Sequence, residues 1–467
     1  MKQEAGLYRL VSEYYEARIL NGFYACGENL PSIPKICSVF HMAPATIRAA
    51  LACLEKSGYI RVDARKAARV VYQAESAGFR ENAARYFVPR RDGILDLYQS
   101  GQLLFVPLWE AGLRRWEEKD WEELRRDLMD PPAEAVSMPV QFFILALRAL
   151  DNGLILNLYW EVIRYIRFPY LANREEGHWV RQNLQDLSRE EVIALLRGKL
   201  ETRYSRSVDS LVAYLDRARD EYALEDIAPV PFQWRIYRQR PQLRYTLVSR
   251  IIREIYTGVF PGGGYLPSLP QMAERYGVAL NTVRRALSVL NCLGLTRSYQ
   301  GKGTMVCEQP LDGIDVTKPE IRGGLQLFLD SLQILEMTVR QVSLYTLERA
   351  GQEKRELLAQ RFFQLEQEQK SYLGFELCLA FVERECPLAI VRECYSKLRE
   401  LLAWGYPFTL RRLKKYGMNR EYADTMKGFG QMLRDGQLAG FADGWKTLMT
   451  RETEQCRHFL SELEGGH

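Results

Sequence analysis

Apolar residues recur at helical spacing along most of this chain, and strand-like alternation is scarce. The first such run, "LVSEYYEARIL", stops just before Gly22, a residue type that commonly closes a helix. In "LPSIPKICSVF", Ser32 is placed to cap a short second helix, and Pro34 falls in its first turn, where a missing N–H does no harm. After a break at "HMA", "PATIRAALACLEKSG" predicts a longer amphipathic helix ending at Gly58. The pattern then turns extended in "YIRV…ARVVY", which suits a two-stranded ribbon. Helix, helix across a short turn, then a hairpin, describes a helix-turn-helix with a wing.

The chain then repeats itself. "LPSLPQMAERYGVALNTVRRAL" at Leu266–Leu287 restates "LPSIPKICSVFHMAPATIRAAL" at Leu30–Leu51, 236 residues later. The preceding helix returns as "LVSRIIREIY", ending before Gly258, and Ser268 and Pro270 take the places of Ser32 and Pro34. The ribbon returns as "LTRS…TMVC" with Gly301-Lys302-Gly303-Thr304 at its tip, a good hairpin loop carrying a cation. The apolar positions agree as well. Ile19, Leu30, Ile36, Phe40, Ile47, Leu51, Leu54, Tyr59 and Val70 pair at the same offset with Ile255, Leu266, Met272, Tyr276, Val283, Leu287, Leu290, Leu295 and Val306, and these positions predict the core of both copies.

What lies between and after the copies is helical in pattern, as in "LWEAGLRRWEEKDWEELRRDLM", "FFILALRALDNGLILNLYWEVIRYIRF" and "ELCLAFVERECPLAIVRECYSKLRELLAWG". The two remainders echo each other weakly ("IALLRGKL" and "FGQMLRDGQL"), which suggests that a whole helix-plus-head unit was duplicated. The expected fold class is therefore mainly α: two winged helix-turn-helix domains alternating with two all-helical bundle domains. The domains are read as residues 1–75, 76–235, 236–310 and 311–467. "APVPFQWRIYRQRPQLR" (Ala228–Arg244), rich in proline and arginine, reads as the linker between the halves.

Charge sharpens the picture. The net charge is only +5. Leu7–Tyr72 holds +4 and Arg244–Cys307 holds +6, so the rest of the chain is at −5. Basic segments on an acidic body suit a polyanion binder. Nine scattered cysteines without a C-x-x-C pair fit a reducing, cytoplasmic setting, and four isolated histidines offer no local metal pair. No phosphate-binding glycine loop, H-E-x-x-H or G-x-S-x-G occurs, and no run is long and apolar enough to cross a membrane. Neither enzymatic activity, a cofactor nor a membrane partner is expected.

The pattern G-x-x-x-x-G-x-x-LPS, then T-[IV]-R-x-A-L-x-x-L-x-x-x-G, then G-K-G-T-x-V resembles the DNA-binding domain of GntR-family transcription regulators; the second copy carries nearly all of it. The resemblance implies double-stranded DNA as partner. It places Ser32, Thr46 and Arg48 of the first copy at the DNA, and Ser268, Asn281, Thr282, Arg284, Arg285, Lys302, Gly303 and Thr304 of the second. The first wing departs from the family pattern but gains charge at Arg65 and Lys66, which reads either as a phosphate-gripping wing of altered shape or as a degenerate wing with a solvated charge run. Two arginines usual in the family are replaced, one by Pro34 and Pro270, the other by Pro44 and Leu280. The serine that usually caps the recognition helix is Ala43 and Ala279. The helical domains are similar to those of the FadR-like branch, without the histidines of its metal-binding members. That implies a small-molecule effector held between helices, with Tyr159, Trp160, Arg164, Arg392 and Tyr395 available but as easily explained by packing. A fused duplicate can act as a pseudo-dimer on two half-sites, with a homodimer of fused chains as the other stoichiometry. The competing reading is a sensory or protein-interaction module whose DNA heads have decayed.

Overall fold

The computed structural model describes residues 7–20, 22–40, 42–63, 67–73, 76–129, 138–166, 187–236, 242–308, 318–409, 412 and 419–465. It divides into two compact units, Met1–Arg235 and Ile236–His467. Each begins with a three-helix head bearing a hairpin and continues as a helical body.

In the first unit the head comprises α1 (Leu7–Leu20), α2 (Ile33–Phe40), α3 (Pro44–Lys56) and the strands β1 (Ile60–Arg61) and β2 (Arg69–Val70). The body follows as α4 (Ser76–Phe87), α5 (Arg91–Arg114), α6 (Glu118–Met129), α7 (Met138–Arg148), α8 (Gly153–Ile166) and α9 (Arg189–Glu221). The second unit has a head of α10 (Gln242–Tyr256), α11 (Leu269–Tyr276), α12 (Leu280–Cys292), β3 (Thr296–Tyr299) and β4 (Gly303–Val306). Its body is α13 (Pro319–Arg349), α14 (Gln352–Gln367), α15 (Gly374–Glu385), α16 (Ala389–Leu402), α17 (Asn419–Arg434) and α18 (Leu438–Gly465). The mainly helical, tandemly duplicated architecture is the one the periodicity predicts. Among the described residues no helix is long and apolar enough to cross a membrane.

The 236-residue offset holds at the level of single hydrogen bonds. The hairpin register Ile60↔Val70 and Arg61↔Arg69 returns as Thr296↔Val306 and Arg297↔Met305. Each wing gains one more bridge from the chain before the second helix, Asn29↔Arg69 and Tyr265↔Met305. Leu30 N–H donates to Ala68 O at 2.8 Å, and Leu266 N–H to Thr304 O at 2.8 Å. Gly58 and Gly294, which release the third helix into the first strand, both take positive φ (79° and 67°), where a side chain would be strained.

Core burial follows the same arithmetic. Of the nine predicted pairs, six are buried at both members, from Leu30 and Leu266 to Val70 and Val306. Three are buried on one side only: Ile255, Tyr276 and Tyr59 stay partly exposed where Ile19, Phe40 and Leu295 are buried. The two tyrosines have polar work at their tips. Tyr59 donates to Glu16 Oε1 at 3.0 Å, and Tyr276 donates to Glu254.

The offset continues into the bodies, further than the weak sequence echoes indicate. Helices α7 and α8 start at Met138 and Gly153, and α15 and α16 start at Gly374 and Ala389, in each case 236 later. Along α8 and α16 the buried faces coincide: Leu154 with Ile390, Ile155 with Val391, Leu158 with Cys394, Tyr159 with Tyr395, Val162 with Leu398 and Ile166 with Leu402. The register is lost after that, because α9 is a single helix of 33 residues where the second unit has α17 and α18.

Two details refine the expectation. The helical pattern of "FFILALRALDNGLILNLYWEVIRYIRF" is divided, over its described residues, between α7 and α8. Asp151 takes φ 50°, and Asn152 Oδ1 accepts from Leu154 N–H at 3.0 Å and Ile155 N–H at 2.9 Å, so a side chain starts a new helix inside an apolar run. The segment read as a linker is a tether only in part. Phe232 and Trp234 are buried on the first unit, Trp234 Nε1–H donates to Asn157 Oδ1 at 2.8 Å, and Val230 N–H donates to Pro89 O at 2.7 Å. Residues 237–241 lie outside the described residues.

Candidate nucleic-acid interface

The second head has the more polar outer face. Ser268 opens α11, and both its N–H and its hydroxyl donate to Gln271 Oε1 at 2.9 Å, so this exposed serine is occupied within its own turn. Ala279 stands at the start of α12 with φ −67° and ψ 147°, extended as an N-cap should be, but with no side-chain acceptor to offer. A serine here would satisfy one of the free N–H groups of the first turn. Ala279→Ser is expected to stabilise the second head by about 1 kcal/mol. A higher denaturant midpoint and slower amide exchange at the start of α12 would register it; no change in either would mean that the end is already capped.

Along α12, Val283, Ala286, Leu287, Val289 and Leu290 are buried. The opposite stripe, Asn281, Arg284, Arg285 and Ser288, is exposed at spacings of three and four. Thr282 is half-buried between the two. Six cations of this head fall into two groups. Arg250 and Arg275 pair with Glu254, and Arg253 reaches Glu376 at 4.0 Å. Arg284, Arg285 and Lys302 are exposed, and no carboxylate among the described residues pairs with them. An exposed arginine with a free fork can grip a phosphate or the guanine edge in two places at once.

The wing presents Lys302 at its tip, flanked by Gly301 (φ 75°) and Gly303 (φ 99°), conformations that the predicted glycine loop requires. A polar ladder fastens the wing to the end of α12. Thr296 Oγ1–H donates to Asn291 Oδ1 at 2.7 Å, Asn291 Nδ2–H donates to Ser298 Oγ at 3.0 Å, and the Ser298 and Thr304 hydroxyls lie 3.0 Å apart. Thr304 is therefore buried and holds the hairpin, rather than standing free at the surface beside Lys302 and Gly303.

The first head has the same frame with a different face. Arg48 and Ser32 are exposed, but Thr46 is buried. The outward stripe of α3 is Ala45, Arg48, Ala49 and Ala52, where α12 carries Asn281, Arg284, Arg285 and Ser288. Arg69 of the wing donates through Nε to Gly27 O at 2.9 Å, which spends it on the head itself. Arg65 and Lys66 fall outside the described residues. Sequence reasoning missed Ser288 and the alanine stripe. Continuing the three-and-four spacing from Asn281 along the helix would have found both.

The aromatic and basic residues considered for an effector pocket are all engaged in packing. Tyr159 and Tyr395 are buried, Trp160 stacks on Phe40 at 5.7 Å between ring centres, and Arg164 pairs with Glu13. Arg392 donates to the carbonyls of Cys386 and Pro387 at 2.7 and 2.9 Å. The Phe40–Trp160 stack and the Glu13–Arg164 pair tie head to body, whereas the contacts of Arg392 stay within the second body. In the second unit Tyr256 of α10 stacks on Tyr406 at 3.9 Å and 18°, Tyr406 donates to Glu376 Oε2 at 2.9 Å, and Arg399 Nε–H donates to Glu376 Oε1 at 2.8 Å.

Residues 7–70 and 243–306 each match the family model described as bacterial regulatory proteins, gntR family. A protein described as the HTH-type transcriptional regulator RmpR of Mycobacterium gastri is 35% identical over 94 residues, 19% of this chain and 34% of that protein. The Escherichia coli protein described as the fructoselysine utilization operon transcriptional repressor is 33% identical over 81 residues, 17% of this chain and 33% of that one. The chain thus spans about a third of the length of these curated relatives. A solved GntR transcriptional regulator from Rhodococcus sp. RHA1 aligns over 46% of this chain and 98% of its own at 15% identity, with a TM-score of 0.28.

Proposed function

Because residues 7–70 and 243–306 both match the GntR family model, we propose that the chain is a sequence-specific DNA-binding transcription regulator whose two heads act as a covalent pseudo-dimer on two half-sites. The observation that carries this is the unpaired cationic stripe on α12: Asn281, Arg284 and Arg285 exposed on one face, with Lys302 exposed at the wing tip. In a helix-turn-helix the second helix enters the major groove, and side chains from its first turns reach base edges. Arginine and asparagine are the side chains that pair with guanine and adenine in two places. Thr282 is half-buried beside this face, and Ser268 is exposed at the start of α11. Thr304 contributes by holding the wing, and Gly303 by letting its tip turn.

The two heads divide the work. The first keeps Arg48 but surrounds it with alanines, so it supplies placement and phosphate contact more than base reading; Ser32, and Arg65 and Lys66 from the sequence between β1 and β2, belong to that role. The domains are proposed as residues 1–75, 76–235, 236–310 and 311–467. The helical bodies are the place for a small-molecule effector, because each is packed onto its own head through an aromatic pair, Phe40 on Trp160 and Tyr256 on Tyr406. An effector that shifts α8, or the segment after α16 that carries Tyr406, would move the head with it. A monomer with two heads suffices for two half-sites; a homodimer with four heads would show twice the chain mass by light scattering.

The test is footprinting of the full chain on genomic fragments. A protected site covering two half-sites is expected, with binding that weakens steeply as salt rises, since phosphate contacts release counterions. No footprint at low salt would leave the heads as decayed interaction modules. A footprint over one half-site would leave the first head as scaffold.

A further inference from the structure

Helical spacing assigns Leu280 to the core: it lies three residues before Val283 and seven before Leu287, which are 0% and 7% exposed, yet Leu280 itself is 42% exposed. The cause is its place in the helix. It is the first residue of α12, and side chains on a helix tilt toward the N-terminus. With only the short Ala279 ahead of it, the leucine has no helical turn before it to cover it and is left exposed at the helix start. Its neighbours are the exposed Asn281 and, one turn on, Arg284. A lone leucine among unpaired polar and cationic side chains is a poor seat for a protein partner, whose interface cores are apolar and depleted of charge.

We infer that Leu280 is a specificity residue that packs against the C5-methyl group of a thymine in the major groove. Thymine alone among the four bases carries a methyl group there, and it is read by apolar contact rather than by hydrogen bonds. Leucine offers only such a contact. It favours thymine over cytosine at the position it covers, while Asn281 and Arg284 address neighbouring purines. The first head has Pro44 at this place, a shorter and more rigid group, so the two half-sites differ here too. The inference rests on the second head being a DNA reader, and the experiment separates failure of the two.

In the footprinted half-site covered by the second head, each thymine is replaced singly by deoxyuridine, which removes only the methyl, and affinity is measured at one salt concentration for the full chain and for Leu280→Ala. At one thymine the wild-type chain is expected to lose about fourfold, the value of one buried methyl-sized group. Leu280→Ala should bind the thymine site more weakly and be indifferent to the uracil exchange. At the same position 5-methylcytosine should bind better than cytosine for the wild-type chain only. If no uracil exchange weakens the wild-type chain, or if Leu280→Ala keeps the same thymine preference, the inference fails while the DNA-reading assignment stands. If the chain binds no sequence specifically, both fail. The uracil exchange in the wild-type chain gives its answer whatever the folding of the variant, and an equal melting temperature of the variant would accord with a side chain outside the core.

Discussion

Arg284→Ala is expected to weaken binding to the preferred site by about 10- to 100-fold, the worth of one arginine gripping a guanine in two places. The equivalent change 236 residues earlier, Arg48→Ala, is expected to cost well under tenfold. Both arginines stand at the same point of the same helix, and both are exposed. The difference lies around them. Arg284 is flanked by Asn281, Arg285 and Ser288, which can engage neighbouring bases and fix the helix in the groove. Arg48 is flanked by Ala45, Ala49 and Ala52, which leave it as one point of charge. Neither substitution touches the core, so folding should be unaffected and the comparison is clean. Affinity for random-sequence DNA separates mechanism from charge. Removing an arginine that reads a base lowers the specific affinity much more than the non-specific one, whereas removing one that grips a phosphate lowers both alike. Equal specific losses from the two variants would contradict the division between a reading head and a placing head.

The heads were legible in the sequence because local and global signals agree there. Gly58 and Gly294 mark helix ends, Pro34 and Pro270 mark helix starts, and the apolar positions recur at a constant offset. Each of these is a backbone requirement that survives drift in the other residues. The sites were harder to see. Thr46 and Thr304 look alike in type to groove-facing threonines, but Thr46 turns into the core and Thr304 bonds across the hairpin to Ser298. Which face a residue near a helix or strand end occupies depends on packing neighbours that periodicity does not name. Leu280 shows the reverse case, apolar and at core spacing, yet exposed because the helix begins with it. The bodies were least legible. Tyr159 and Tyr395 occupy the same buried position 236 residues apart, but intervening substitutions of one apolar residue by another, such as Leu158 for Cys394, keep the burial and erase the sequence echo. The first part of the presumed linker was misread for a different reason. Proline and arginine dominate its composition, while Phe232 and Trp234 decide its structure.

A duplex carrying both half-sites is expected to bind the full chain about 10²- to 10⁴-fold more tightly than a duplex with either half-site scrambled, because the second head then binds at the high local concentration set by its tether. Scrambling the half-site under the second head should cost more than scrambling the other, since the outward stripe of the second head carries four polar or charged side chains where that of the first carries one. The inequality is the informative part. A symmetric homodimer loses the same amount from either half, and a chain with one working head is indifferent to one of the two. Fusion of two copies lets their faces diverge without loss of the pairing, because pairing no longer depends on two identical surfaces meeting. That is the physical advantage of writing the head twice in one chain: the shared frame keeps both heads folded, while the alanines of α3 and the polar stripe of α12 are free to ask different things of the two ends of one site. Equal affinity for the intact and both scrambled duplexes would mean that the covalent link contributes nothing to binding, and the pseudo-dimer would be only a duplicated fold.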